Sequence, residues 1–219
     1  MTLRRFGVGS ALLGLALVAW VVVVAQTRGT DGGPTTDLGG FGWYVGLWVT
    51  MTAAMMLPSA APAVLLVDRI ALRATPAFVA GYLVAWTAAG LAAFGLVRVA
   101  VATGAGDWRL TGPLLVAAGL YQLTPLKHAC LRHCRTPMSF LRARGDRSPL
   151  RTGLEHGLFC IGCCAGLMVV LFALGLMSLL WMAVVAALVA AEKLAPYGDR
   201  LATPIALGLV TAGVLIVVV

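Results

Sequence analysis

The residues best able to bind a metal ion are concentrated in one short part of the chain. All five cysteines and all three histidines lie between His128 and Cys164. They form two patches, Lys127 to Pro137 and His156 to Cys164, which are separated by a basic segment. Thiols and imidazoles at this density could ligate a metal, and paired thiols could alternatively cycle with a disulfide.

The second patch has the spacing of a single helical face. At about 100° per residue, His156, Cys160, Cys163 and Cys164 fall within an arc of roughly 100°. Any one of these cysteines could simply be a packing residue, because Cys behaves as a small hydrophobe and small residues suit close contacts between membrane helices. The complete set of one imidazole and three thiols instead indicates metal ligation.

The first patch contains a dithiol pair. Cys130 and Cys134 stand one turn apart on one face if their helix continues to Arg135, with His133 nearer to them than His128. At a rise of 1.5 Å per residue, this pair would lie at the cytoplasmic end of its helix, and Cys160 to Cys164 would lie roughly 9–15 Å inside the bilayer if the fifth helix begins near Leu154. Two separate sites are therefore expected, with the outer dithiol able to hand metal to the inner site.

A methionine stripe adds soft sulfur ligands. Met51 and Met55 are one turn apart and share a face with Ser59. Thioether, thiolate and imidazole together favour Cu(I), and zinc is the second choice. Methionine is also an ordinary apolar filler, so packing remains the alternative interpretation of this stripe. Pro58 predicts a kink in the same helix, and kinked membrane helices often line a site.

Hydrophobic helices must hold these groups in place. The chain is 61% hydrophobic and 11% charged, with a mean hydropathy of +0.97, whereas soluble domains carry about 25% charged residues. A bilayer-spanning helix needs about 20 apolar residues. The sequence predicts an all-α, polytopic transmembrane bundle of about seven helices, in one domain over residues 1–219, with spans at 6–26, 41–66, 77–101, 109–128, 154–173, 175–191 and 202–219.

Two of these spans carry more specific expectations. The fifth and sixth helices should form a tight hairpin that turns at Gly175. The first helix follows Arg4 and Arg5 and could be a cleaved signal, which would leave six helices. Its apolar run, Phe6 to Ala25, exceeds the usual signal core of about 7–15 residues, and this favours a retained anchor.

The cationic residues predict the orientation. If the N-terminus is cytoplasmic, every Lys and Arg lies toward the cytoplasm except Arg28, Arg98 and Arg109, as the positive-inside rule requires. The large basic loop, residues 129–152, is then cytoplasmic, and the net charge of +8 reflects topology and attraction to lipid headgroups. No aromatic interleaving or nucleic-acid module accompanies the basic residues, so nucleic acid is excluded as a partner.

Four motifs resemble those of one bacterial family, whose members are described as predicted metal-binding integral membrane proteins of unknown function. The motifs are Met55 to Pro62, Pro125 to Pro137, His156 to Cys164, and the pair Glu192 and Lys193. The resemblance implies a multi-pass protein of the bacterial inner membrane. It also implies that the metal-binding positions are occupied by Cys130, Cys134, His156, Cys160, Cys163 and Cys164, whereas His128 and His133 fall in variable positions.

The function expected from these features is that of a membrane protein that holds or transfers a soft metal, with copper favoured. A metal-donating or metal-receiving protein, such as an oxidase to be loaded, would be its partner beside the lipid bilayer, and no catalytic residue is assigned. One alternative is a thiol-disulfide oxidoreductase, for which Cys130 and Cys134 have the required basic flanks. A small metal transporter is the other, although helices one, three and seven offer few polar groups at mid-membrane.

Glu192 and Lys193 are expected to form an interfacial ion pair.

Overall fold

The computed structural model describes residues 2–28, 40–71, 73–103, 110–142, 147–176 and 178–218, with the backbone alone for residues 2–6. Within these ranges the protein is entirely helical. The helices are α1 (Thr2–Thr27), α2 (Phe41–Ile70), α3 (Thr75–Ala102), α4 (Thr111–Gln122), α5 (Pro125–Arg135), α6 (Pro137–Arg142), α7 (Pro149–Leu174), α8 (Leu179–Leu194) and α9 (Ala202–Val218), and a 3₁₀ helix (Gly198–Leu201) precedes α9.

Five of the described helical segments are long and apolar enough to cross a membrane. They are Gly7–Thr27, Phe41–Ile70, Thr75–Ala102, Pro149–Leu174 and Gly198–Val218. The predicted count of about seven spans is therefore not confirmed, because α4 has 12 residues and α8 has 16, and both are shorter than the roughly 20 residues that a span needs. Arg109 and Arg144, which enter the orientation prediction, lie outside the described residues.

A break in the predicted fourth helix redirects the first cysteine patch. α4 ends at Gln122 and α5 begins at Pro125. The side chain of Thr124 caps α5 by accepting a hydrogen bond from the backbone N–H of Lys127, and proline is well suited to the first helical position. α5 is consequently a separate short helix, which packs against α7 and α8.

The segment predicted as a basic loop, residues 129–152, is mostly helical where it is described. It contains the end of α5, the short helix α6 and the start of α7. The reason is local: Pro137 and Pro149 each occupy a position suited to starting a helix, and the Ser148 side chain caps α7. The second patch consequently begins two turns inside α7 rather than at its end.

α7 packs against four other helices, α3, α4, α5 and α8. α3 and α7 approach each other closely at two glycines. A Cβ added at Gly81 would strike the backbone of Leu150, and one added at Gly153 would strike the backbone of Phe78. At its other end, α7 stops at Gly175, whose φ of 111° is accessible chiefly to glycine. The predicted turn residue between the fifth and sixth helices is thus confirmed.

Candidate metal centre

Three cysteines of α7 form a compact group of sulfur atoms. The Sγ atoms of Cys160, Cys163 and Cys164 all lie within 4.8 Å of one another, and each residue is 1% exposed. The group follows from the helical spacing, because residues three and four apart stand on the same face. The three sulfur atoms are close enough together to bind one soft metal ion.

A fourth thiol reaches this group from α5. The Sγ atom of Cys134 lies 3.7 Å from that of Cys163, so the expected separation between the two patches does not hold for Cys134. The sequence-based estimate placed Cys134 too far along a continuous fourth helix, whereas α5 is a separate helix that runs against α7. We call these four residues, Cys134, Cys160, Cys163 and Cys164, the thiol cluster.

Polar groups from two further helices, α3 and α8, contact the sulfur atom of Cys160. The Lys193 ammonium from α8 donates to Cys160 Sγ at 2.9 Å, and it also donates to Ser59 Oγ from α2 at 3.3 Å. Tyr82 Oη from α3 lies 3.0 Å from the same sulfur. Lys193 is 7% exposed, and a buried ammonium needs a negative partner. The Lys193 ammonium is therefore placed to balance a negative charge on the Cys160 sulfur.

The predicted interfacial pairing of Glu192 with Lys193 is wrong. The Glu192 carboxylate binds the Lys127 ammonium of α5, at side-chain exposures of 2% and 0%. Lys127 also donates to the Gln122 side chain. Consecutive residues on a helix point about 100° apart, so Glu192 and Lys193 reach different neighbours. Glu192 forms an ion pair with Lys127 of α5, and Lys193 donates a hydrogen bond to Cys160 of the thiol cluster.

Arg135 fastens the far end of α5 to the same part of α8. Its guanidinium donates to the backbone carbonyls of Glu192 at 2.6 Å and Pro196 at 2.9 Å. These carbonyls lie at or just beyond the C-terminus of α8, where helices leave carbonyl groups unpaired and carry partial negative charge. Lys127 and Arg135 thus attach both ends of α5 to α8, which positions Cys134 against Cys163 of α7.

The structure places His156 one turn before the thiols but in an aromatic environment. His156 is 2% exposed, and its ring packs against Phe78, Tyr82 and Phe140 at centroid distances of 5.5–6.0 Å. Its Nδ1 atom has no hydrogen-bond partner among the described residues. A buried nitrogen without a partner is costly, so His156 retains a lone pair or a proton available to a ligand.

Cys130 occupies the contact between α5 and α7. A Cβ added at Gly162 would lie 2.6 Å from Cys130 Sγ, so the thiol rests directly against the α7 backbone. Tyr121 Oη donates to the carbonyl of the same glycine at 2.5 Å. Cys130 shares the buried core with the thiols of α7, but its sulfur is held against Gly162 rather than in the group of three.

The remaining sequence candidates lie in the same core or at its edge. Met51 and Met55 are buried at 2% and 3% exposure and belong to the apolar core that contains Cys160, Cys163 and Cys164. His133 stacks on Phe159 with parallel rings 4.3 Å apart. His128 instead lines an open cleft outside α5.

The environment of the two α5 thiols bears on the oxidoreductase alternative. Burial raises the pKa of the Cys130 thiol, and hydrogen bonding with Cys160 raises the pKa of the Cys134 thiol. A nucleophilic redox cysteine needs a lowered pKa, which basic neighbours could have provided. The arginines that flank these thiols in sequence do not produce that effect in the folded chain.

Sequence reasoning missed three residues of this site. Lys193 was assigned to the membrane interface, and Tyr82 was not considered. Ser59 was noted as a neighbour of the methionines, not as a partner of Lys193. The sequence signal for Lys193 was a lysine that directly follows a long apolar run, because a cation placed within a membrane segment requires a specific partner.

The family relationship agrees with this geometry. No curated protein and no solved structure matches the chain. A family model described as "PpoB2: Copper chaperone" matches residues 45–216, a range that includes the thiol cluster, Tyr82 and Lys193. Soft sulfur ligands in a compact group are the donor set that copper in its monovalent state prefers, and the chain belongs to the PpoB2 copper chaperone family.

Proposed function

We propose that this protein is an integral membrane copper chaperone that holds Cu(I) at the thiol cluster and passes it to another protein. The observation that carries the proposal is the convergence of four thiols, with three Sγ atoms within 4.8 Å and the fourth 3.7 Å from Cys163. Thiolates are soft ligands and select Cu(I) over harder ions. Four thiols could also surround zinc tetrahedrally, so metal identity is part of the test.

Charge balance supports a monovalent metal bound by two thiolates. Such a complex carries one negative charge, and buried charges are retained when they are paired. The Lys193 ammonium, 2.9 Å from Cys160 Sγ, supplies the matching positive charge. Cys130, His156, Met51 and Met55 remain predicted ligands; all four are buried, and Cys130 and the two methionines share one apolar core with the α7 thiols.

The proposed setting is the bacterial inner membrane, with the N-terminus and the basic segment 129–152 in the cytoplasm. The five long apolar helices and the one-sided distribution of Lys and Arg support this orientation. Cytoplasmic thiols stay reduced, which keeps the cluster available for metal. The copper-receiving protein would dock where the cluster approaches the surface.

The decisive experiment is elemental analysis of the detergent-purified protein, with thiols counted before and after chelation. We expect stoichiometric copper and chelator-released thiols in the wild type, and no copper in the triple variant Cys160→Ser, Cys163→Ser, Cys164→Ser. Met168→Leu is the matched control, because Met168 is a buried sulfur residue of α7 outside the predicted ligand set. Stoichiometric zinc, or full copper retention by the triple variant, would contradict the proposal.

The thiol oxidoreductase alternative rests on one observation, the 3.7 Å separation between Cys134 Sγ and Cys163 Sγ. Two thiols in contact across helices could form a disulfide after modest movement. Metal-free protein in which these two thiols convert reversibly to a disulfide would favour this alternative. The raised pKa of the Cys134 thiol weighs against it.

A further inference from the structure

The four thiols of the cluster differ in accessibility. Cys160, Cys163 and Cys164 are each 1% exposed, whereas Cys134 is partly exposed. Cys134 is also the member contributed by α5, and its sulfur contacts Cys163 at 3.7 Å. A donor molecule outside the protein can therefore approach the cluster most directly through Cys134.

Cu(I) in thiol-rich surroundings moves by ligand exchange, in which an incoming sulfur bonds before a departing sulfur leaves. Such a reaction starts at a ligand that the other molecule can touch, as access also limits thiol exchange. We propose that Cys134 is the exchange thiol of the copper site and that the metal arrives as a small anionic Cu(I)–thiolate complex. This inference rests on the proposed copper-holding function.

A basic cleft lies on a neighbouring face of α5; Cys134 is not among its lining residues, so the cleft would bind the anionic part of the donor rather than its copper. It has a volume of about 590 Å³ and is lined by His128, Arg132, Arg135, Thr136 and Asp199, among others. Arg135 is already committed to backbone carbonyls of the α8 end, whereas Arg132 makes no ion pair with any residue that the structure describes. The volume lies within the range of small-molecule sites, about 300–1,000 Å³, which suits a thiol peptide.

The exchange balances without any redox partner. Cys134 Sγ bonds to the copper and gives up its proton, while one donor thiolate leaves with its electron pair and takes up that proton. Cys163 then repeats the same exchange across the 3.7 Å contact, and the last donor thiolate leaves. Copper stays monovalent throughout, and the metal ends among the buried thiols.

The test separates the rate of copper transfer from copper affinity. Copper is presented as Cu(I)–glutathione to the reduced, detergent-purified full chain, and transfer is followed by stopped flow beside an equilibrium competition titration. Because access controls exchange, Cys134→Ser should slow transfer about 100-fold or more and lower affinity far less. Cys164→Ser should do the reverse. Transfer by Cys134→Ser at the wild-type rate would overturn the inference.

The role of the cleft in binding the donor is tested by comparing copper transfer from an anionic donor and a cationic donor. Arg132→Glu should slow transfer from anionic Cu(I)–glutathione about tenfold and should not slow transfer from the cationic Cu(I)–acetonitrile complex. Arg200→Gln is the control, because Arg200 is an exposed arginine near the same end of the chain outside the cleft lining. Equal slowing with both donors would contradict recognition of an anion.

A third measurement needs no variant. In the metal-free native protein, iodoacetamide should modify Cys134 before the three thiols of α7, and bound Cu(I) should block this modification. Earlier modification of Cys160, Cys163 or Cys164 would overturn the role of Cys134. Failure of the wild type to bind copper from either donor would instead reject the proposed function, so the two failures are distinguishable.

Discussion

Two helix contacts in this protein are built on different physical principles. α4 and α9 pack closely through glycine, where a Cβ added at Gly119 would meet Val210 Cγ2 at 2.7 Å and the Ala206 carbonyl at 2.9 Å. Around α5, α7 and α8 the contacts are thiols, a buried Lys127–Glu192 ion pair and the Lys193 ammonium. Both contacts hold helices together, but the second buries charge at a cost in stability.

That difference shows where function lies. Close packing through small residues is the ordinary way for membrane helices to associate. Buried ionisable groups at membrane depth are expensive and point to function. The α4–α9 contact is therefore interpreted as architecture and the α5–α7–α8 contact as the proposed copper site, and four substitutions test this interpretation.

The largest effect on stability is expected from Lys127→Met. The substitution leaves the Glu192 carboxylate buried without its cation, and loss of one partner of a buried ion pair costs about 3–5 kcal/mol. Thermal unfolding in detergent measures the change. The double variant Lys127→Met, Glu192→Leu should recover most of the loss, because an apolar replacement of both partners is often near neutral. A double variant as unstable as the single one would show that charge burial is not the cause.

The next largest effect is expected on copper affinity. Lys193→Met removes the positive charge beside Cys160, and Cu(I) affinity should fall about 100-fold, equivalent to about 2.7 kcal/mol. Lys193→Arg keeps the charge and should restore most of the affinity. Competition titration with a Cu(I) chelator measures both. Equal losses in the two variants would indicate that Lys193 acts through shape rather than charge.

Gly119→Ala tests the packing contact between α4 and α9. The added methyl group forces α4 and α9 apart, because one of its contacts is a backbone carbonyl, and overpacking typically costs about 1–3 kcal/mol. Unfolding should occur at lower temperature while Cu(I) affinity stays at the wild-type value. A matching loss of copper affinity would mean that the two regions are coupled.

The smallest effect is expected from the methionine stripe. Met55→Leu conserves volume, so its stability cost should be below about 1.5 kcal/mol. If the Met55 thioether helps to bind copper, Cu(I) affinity should still fall several-fold. Met56→Leu is the control, because Met56 is equally buried in the same helix and core outside the predicted ligand set. Equal affinities in the two variants would leave packing as the role of Met55.

Local periodicity correctly predicted that Cys160, Cys163 and Cys164 lie close together. The group of Cys160, Cys163 and Cys164 lies within a single helix, so its geometry follows from the spacing alone. The turn at Gly175 was likewise predictable, because glycine tolerates the positive φ found there. Apolar runs located the five long helices, since burial in lipid requires a continuous hydrophobic segment.

Features that depend on tertiary packing were not predictable in this way. The contact between Cys134 and Cys163 requires α4 to end before α5, and the signal for that break, Thr124 followed by Pro125, was outweighed by the apolar run around it. The partners of Lys193 come from α2 and α7, and no local pattern specifies which helices meet. The grouping of the three α7 thiols was therefore predictable from the sequence, but the position of Lys193 beside Cys160 was not.

The buried thiols of α7 are proposed to bind Cu(I). Copper K-edge X-ray absorption of the Cu(I)-loaded, detergent-purified protein tests this proposal most directly, because the first-shell scattering distinguishes sulfur from nitrogen or oxygen. We expect copper neighbours that are mostly sulfur in the wild type, with at most one nitrogen from His156, and loss of the bound copper in the triple variant Cys160→Ser, Cys163→Ser, Cys164→Ser. A first shell of nitrogen or oxygen, or an unchanged sulfur shell in the triple variant, would contradict the proposed site.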